Sequence, residues 1–144
     1  MTNLDDPPPH AWNAVYIYGG WRLVDCTWGA GTTNPESGDF ERLLNEHFFL
    51  PDPEELIYTH FPYDEAESNY SKWQLLDQPI SLETFNIMPL LNSMFFEYSL
   101  KISKDLPLPL VTQEHVDIKI WAFEVIRYKY KFFFRDQVKI MSQF

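Results

Sequence analysis

HAWNAVYIYGGWRLVDCTW, residues 10–28, decides the fold. Val15, Tyr16, Ile17, Trp21, Leu23 and Val24 favour extended backbone, and the Gly19-Gly20 pair supplies the positive φ that a tight hairpin needs. The stretch therefore reads as two antiparallel strands, with a histidine entering the first and an aspartate leaving the second. A two-residue turn makes opposed positions sum to an odd number. The pleat then puts His10, Trp12, Ala14 and Tyr16 on one face with Trp21, Leu23, Asp25 and Thr27. Two registers satisfy this parity, one setting Asp25 opposite Trp12 and one setting it opposite Ala14. Only the first leaves His10 and Asp25 on a diagonal of about 7–8 Å between Cα atoms, which their side chains span.

A histidine and an aspartate on one face carry chemistry. A neutral imidazole works as a general base when its tautomer and orientation are held, commonly by a carboxylate on its other nitrogen. His10 is the candidate base and Asp25 the candidate orienter. The plainer reading is a half-buried hairpin with polar residues at its ends.

Working outward, Asp5-Asp6-Pro7-Pro8-Pro9 makes residues 1–9 an extended, proline-rich lead-in. Residues 29–38 read as a loop on three glycines and one proline. Residues 40–50 (FERLLNEHFFL) suit a helix through Phe40, Leu43, Leu44 and Phe48 and a buried strand through His47, Phe48, Phe49 and Leu50; a strand over the last half is favoured. Asp52 followed by Pro53 and Glu55 reads as a capped helix start, the helix ending near His60 ahead of Pro62. Residues 63–72 read as a solvated acidic loop, and Ser81 caps a second short helix, Leu82–Ile87. Residues 90–102 fit a helical stripe (Leu91, Met94, Phe95, Tyr98, Ile102) or a strand entered at Phe95-Phe96. Leu106-Pro107-Leu108-Pro109-Leu110 reads as a boundary. Two period-two strands follow, over residues 116–123 and 126–135, whose Arg and Lys side is the wet face of a sheet.

The chain has 144 residues and a formal net charge of −10. Its first 100 residues hold 16 acidic against 3 basic side chains, and the remaining 44 hold 5 against 8. The acidic part argues against a nucleic-acid partner, because phosphate binding needs a basic footprint. An apolar fraction of 45% with 17% aromatics excludes a disordered chain and points to an aromatic-rich core. Cys26 stands alone, which excludes an intrachain disulfide framework and a multi-cysteine zinc site and fits a reducing setting. No apolar run of about 18 residues predicts a membrane span, and the N-terminus has no signal-peptide order, so the expected location is cytoplasmic. The expectation for metal and cofactor is none: the spacings of His47, His60 and His115 match no compact ligand motif. Cys26 is expected to be a buried strand thiol rather than a nucleophile. Trp12, Trp21, Trp28 and Trp73 read as packing rather than a sugar-binding surface, and residues 64–67 as a solvated loop.

His10-Ala11-Trp12-Asn13-Ala14-Val15-Tyr16 and Trp21-Arg22-Leu23-Val24-Asp25-Cys26-Thr27-Trp28-Gly29 resemble the His and Asp segments of the transglutaminase-like superfamily. The resemblance is to the kyphoscoliosis peptidase and hillarin group, which shares a domain with fungal cytokinesis proteins. It extends in order through Asn45-Glu46-His47-Phe48-Phe49-Leu50, His60-Phe61-Pro62, Trp73-Gln74-Leu75-Leu76 and Ser81-Leu82 with Phe85. It implies an α+β fold: a papain-like or transglutaminase-like antiparallel sheet with short helices over residues 10–104, truncated at its N-terminal helix. Residues 105–144 would be the start of a β-rich second domain. It also implies a Cys-His-Asp arrangement with His10 as base and Asp25 as orienter. The family's nucleophilic cysteine lies upstream of the histidine, where this chain has none. The chain alone is therefore expected to be inactive, a fragment or an inactive form of a cysteine peptidase or acyl-transfer domain. The alternative is a non-catalytic module with protein partners of the cytoskeleton. Neither reading calls for nucleic acid or membrane.

Overall fold

A computed structural model describes residues 10–63, 70–103, 118–127, 129–134 and 137–142. Among them the class is α+β, with short helices and small antiparallel ladders. The described strands pair antiparallel, as four two-stranded ladders.

The hairpin pairs β1 (Asn13–Ile17) with β2 (Gly20–Val24), Asn13 opposite Val24 and Ile17 opposite Gly20. Its turn lies one residue earlier than the glycine pair suggests. Tyr18 (φ 52°) and Gly19 (φ 78°) form the turn with positive φ at both positions, while Gly20 is already paired. Carried past the strand ends, this register sets Trp12 opposite Asp25. The nearer of the two registers is the one adopted.

The second strand stops at Val24, short of the expected Thr27. Asp25 has extended backbone and caps α1 (Cys26–Gly29), its side chain accepting from the Thr27 and Trp28 amides. Cys26 is therefore an exposed helix residue, not a buried strand thiol. Its sulfur lies 4.0 Å from Asn13 Nδ2, beside a β1 residue of the opposite face from Trp12 and Ala14.

The expected loop after α1 contains a strand. β3 (Gly31–Thr33) pairs with β4 (Phe40–Arg42), and Asn34 tightens the connection by accepting from the Glu36 and Ser37 amides. The buried strand favoured for the second half of residues 40–50 is a 3-10 turn, Glu46–Phe48, capped by Asn45, with a single bridge from Phe49 to Val24. Apolar residues there satisfy their backbone by turning rather than by pairing, because Phe48 alone is drawn into the core.

α2 (Pro53–Leu56) follows its Asp52 cap but stops short of the end near His60 expected from the sequence; turns carry the chain from Leu56 to His60. α3 (Tyr70–Trp73) replaces the end of the loop expected to reach residue 72; residues 64–67 lie outside the described ones. α4 (Leu82–Ile87) begins at the Ser81 cap as the sequence indicates. The open region resolves into α5 (Ser93–Glu97) and then β5 (Lys101–Ile102), which pairs with β6 (Ile120–Trp121). The 116–123 strand shows only this β6 among its described residues. The 126–135 strand contains β7 (Lys129–Phe134), paired with β8 (Gln137–Ser142). The Leu106–Leu110 stretch and His115 lie outside the described residues.

The core is small. Leu23, Phe48 and Leu56 are buried together, with Trp12, Ala14 and Leu75 packed on them. Gln74 closes the segment after α3, its amide donating to the Ile80 carbonyl at 2.9 Å and accepting from the Ile80 amide at 2.8 Å. This leaves a buried polar residue fully paired. Beside this core sit two other buried polar side chains, Asp25 and His60.

Candidate functional site

Asp25 is placed by backbone before its side chain acts. Its amide donates to the Phe48 carbonyl and its carbonyl accepts from the Gly29 amide, each at 3.0 Å. The 3-10 turn and α1 thereby hold it between them. The carboxylate is 1% exposed, and each oxygen has a separate task. Oδ1 accepts from the Thr27 amide at 2.9 Å and the Trp28 amide at 3.0 Å. Oδ2 accepts from His10 Nε2 at 2.5 Å and from His60 Nε2 at 2.9 Å.

His10 reaches Oδ2 because the register puts it on the Trp12 and Asp25 face. Its ring stacks on Trp28, with centroids 4.8 Å apart, and on Trp12 at 6.2 Å. Two indoles thus fix the imidazole plane. His60 arrives from the end of the α2 segment and meets Trp12, Trp28 and Phe48 at centroid distances of 4.9, 4.6 and 5.8 Å. Of the tryptophans expected to pack, Trp12 and Trp28 wall the histidines and Trp21 meets Trp73 edge to face at 5.4 Å, while Trp21 and Trp28 each keep an exposed side.

The electrostatics follow from burial and bonding. Burial pushes the Asp25 carboxyl up. The bonds from His10 and His60, the Trp28 amide and the charge of His10 outweigh it, so Asp25 lies below the usual carboxylate range. Burial holds His60 below the usual histidine range, against the pull of Asp25 and with the repulsion of His10 and His47. A neutral His60 facing a carboxylate carries its proton on Nε2. Its Nδ1 is then an acceptor, and the Thr59 hydroxyl 2.7 Å away donates to it. The Leu56 carbonyl, 3.3 Å from the same hydroxyl, is the weaker alternative acceptor.

In the neutral ring, His10 donating through Nε2 has Nδ1 as its lone-pair nitrogen. His10 also forms part of the wall of a cleft of about 340 Å³, with Trp12, Leu23, Pro62, Tyr70 and Trp73. The imidazole that lines this cleft is anchored to Asp25 through Nε2.

His10 Nε2, Asp25 Oδ2 and His60 Nε2 lie within 4.8 Å of one another and are of a type that zinc accepts. Nitrogen and oxygen ligands about 2.0–2.1 Å from one zinc ion stand about 3.3 Å apart. Here the nitrogen-to-oxygen separations are 2.5 and 2.9 Å, the spacing of shared protons.

His10 and Asp25, the two residues singled out from the sequence, are brought into contact. His60 is the residue that sequence reasoning missed as part of the site. Thirty-five positions separate it from Asp25, and no local spacing marks the meeting; its place in the His60-Phe61-Pro62 motif is the only trace. His47 stacks on Phe96 instead, with centroids 5.3 Å apart.

Comparison with known proteins identifies relatives of the chain. The chain is 37% identical over 108 residues to hillarin of Drosophila melanogaster, covering 67% of this chain and 12% of that protein. It is 40% identical over 100 residues to Lim and transglutaminase domain protein ltd-1 of Caenorhabditis elegans, covering 63% and 13%. It is 46% identical over 76 residues to the kyphoscoliosis peptidase of Homo sapiens, covering 53% and 11%. No family model and no solved structure matches the chain. These relatives make it a protein of the transglutaminase-like class. Within that class it belongs to the group of hillarin and the kyphoscoliosis peptidase, and it spans about an eighth of their length. No helix among the described residues is long and apolar enough to cross a membrane.

Proposed function

We propose that the described region is the base-and-orienter part of a transglutaminase-like cysteine peptidase or acyl-transfer domain. The observation that carries this reading is the His10 Nε2 to Asp25 Oδ2 bond of 2.5 Å. With that bond made, His10 Nδ1 takes the proton from a thiol entering the cleft. The resulting thiolate attacks a carbonyl, and Asp25 steadies the imidazolium until the proton passes to the leaving group. Cys26 is not that thiol: it follows the aspartate and keeps company with Asn13. The 144-residue chain by itself therefore performs no acyl transfer, and the covalent step needs a cysteine from elsewhere.

The test uses the 144-residue chain and the longest product of its gene. Amine incorporation into a glutamine-containing peptide and hydrolysis of casein should both be at background for the 144-residue chain. A longer product with an upstream cysteine should show turnover that His10→Ala lowers by about a thousandfold or more. Turnover that survives His10→Ala, or a complete transcript without an upstream cysteine, overturns the catalytic reading.

A second reading rests on the hairpin tip. Tyr16 is 62% exposed, Tyr18 94% and Trp21 41%, a cluster of aromatics suited to holding a protein partner. In this reading the region is a non-catalytic docking module of the cytoskeleton. Co-sedimentation with purified actin filaments or microtubules should then be lost in Tyr16→Ala with Trp21→Ala and kept in His10→Ala. Absence of co-sedimentation with either filament removes it.

A further inference from the structure

Asp25 Oδ2 is shared by two imidazoles, and only one of them faces the cleft. We propose that His60 is a positioning residue of the site: its Nε2–H occupies one side of Oδ2 and fixes the carboxylate so that the other side meets His10. This rests on the reading of His10 and Asp25 as base and orienter and adds a residue to it.

A carboxylate buried at the end of a hairpin has one torsion that matters here, rotation about the bond to its carboxyl carbon. The α1 cap alone restrains Oδ1 through the Thr27 and Trp28 amides. Because the carboxylate is planar and turns as a unit, a bond to Oδ2 acts on the same torsion from the other side. His60 supplies that second restraint, since its own ring is held at both nitrogens: Nε2 by Asp25 at 2.9 Å and Nδ1 by the Thr59 hydroxyl at 2.7 Å. The ring also cannot turn away, because Trp12 and Trp28 stand edge-on to it. A chain of hydrogen bonds thus runs Thr59, His60, Asp25, His10, from a helix-end hydroxyl to the wall of the cleft.

The direction of donation is set by the neighbours. The titratable groups facing His60 are Asp25 at the end of β2, His10 ahead of β1 and His47 in the 3-10 turn. Burial together with the two other histidines keeps His60 neutral, so it donates one proton to Asp25 and withdraws none. Loss of that donor leaves Oδ2 with His10 as its single side-chain partner, and the carboxylate becomes easier to protonate.

The test is carboxyl-carbon NMR titration of Asp25 in the 144-residue chain. His60→Phe keeps a ring among Trp12, Trp28 and Phe48 and removes the donor; His60→Gln keeps an N–H where Nε2 stands. The Asp25 midpoint is expected to rise by about one pH unit in His60→Phe and to return close to the parent value in His60→Gln. An unchanged midpoint in a folded His60→Phe chain, or an equal rise in both variants, overturns the proposal. Nitrogen-15 spectra of the parent chain supply an independent reading that needs no substitution. At pH 8 the His60 ring is expected in the Nε2–H form; the opposite tautomer overturns the proposal too. These outcomes differ from failure of the catalytic reading, which is decided by turnover of the longer product after His10→Ala.

Discussion

The His10 imidazole lies nearly flat on the Trp28 indole, planes 22° apart and centroids separated by 4.8 Å. Trp28 belongs to the short helix that Asp25 caps, so the residue orienting the imidazole through a hydrogen bond also begins the helix that flanks it with a ring. Trp28→Ala removes the stack with His10 and the edge contacts with Phe48 and His60. Because the indole is 39% exposed, the expected cost is below that of a fully buried tryptophan, about 1–3 kcal/mol by urea unfolding. A loss below a few tenths of a kcal/mol would show that the stack contributes nothing.

Asp25→Ala leaves two helix amides and two imidazole N–H groups without their acceptor. The expected loss is about 3–5 kcal/mol, enough to unfold a small domain. Asp25→Asn keeps one carbonyl oxygen for the Thr27 and Trp28 amides but turns an amide donor toward two other donors. It should be intermediate, and urea midpoints should order parent, Asn, Ala.

Stability should fall with pH below neutrality. Burial places His60 and His47 below the ordinary histidine range, with Glu97 opposing at His47. Below about pH 6.5 the unfolded chain therefore binds more protons than the folded one. The slope approaches about 1.4 kcal/mol per pH unit for each such histidine, until its folded value is passed. Asp25 continues the trend: its contribution is complete above the unfolded carboxylate value and is lost as pH drops through its lowered folded value. Glu55, raised by burial and by Asp52, acts with the opposite sign in the acid range; urea midpoints should therefore be lower at pH 5.5 than at pH 7.5, and a midpoint that rises over that interval contradicts this assignment.

Gly31 has φ +149°, and a β-carbon there would lie 2.1 Å from the Glu41 carbonyl oxygen and 2.9 Å from the Phe40 ring. Gly31→Ala must shift β3 off β4, since the obstacle is backbone. The expected cost is about 1–3 kcal/mol with faster amide exchange confined to β3 and β4. Gly38, with open space around it, is the contrast: Gly38→Ala should cost less, through its φ of +76° alone.

The chain order of residue types determined a good part of this protein. Alternation in residues 13–24 specified a hairpin, the parity of its turn put His10 and Asp25 on one face, and Asp52 and Ser81 marked two helix starts. These are local signals, read from side-chain period and from caps that act within one turn. Tertiary structure decided the rest. Parity allowed two registers, and positive φ at Tyr18 rather than Gly20 selected the one in which the side chains meet. Asp25 left the strand because its carboxylate could satisfy two helix amides while Phe48 took its backbone. Cys26 was carried to the surface by that turn of helix. His60 joined the site across 35 residues, through the packing of Leu56 against Leu23 and Phe48. No spacing in a sequence records a contact that only the closing of the core creates.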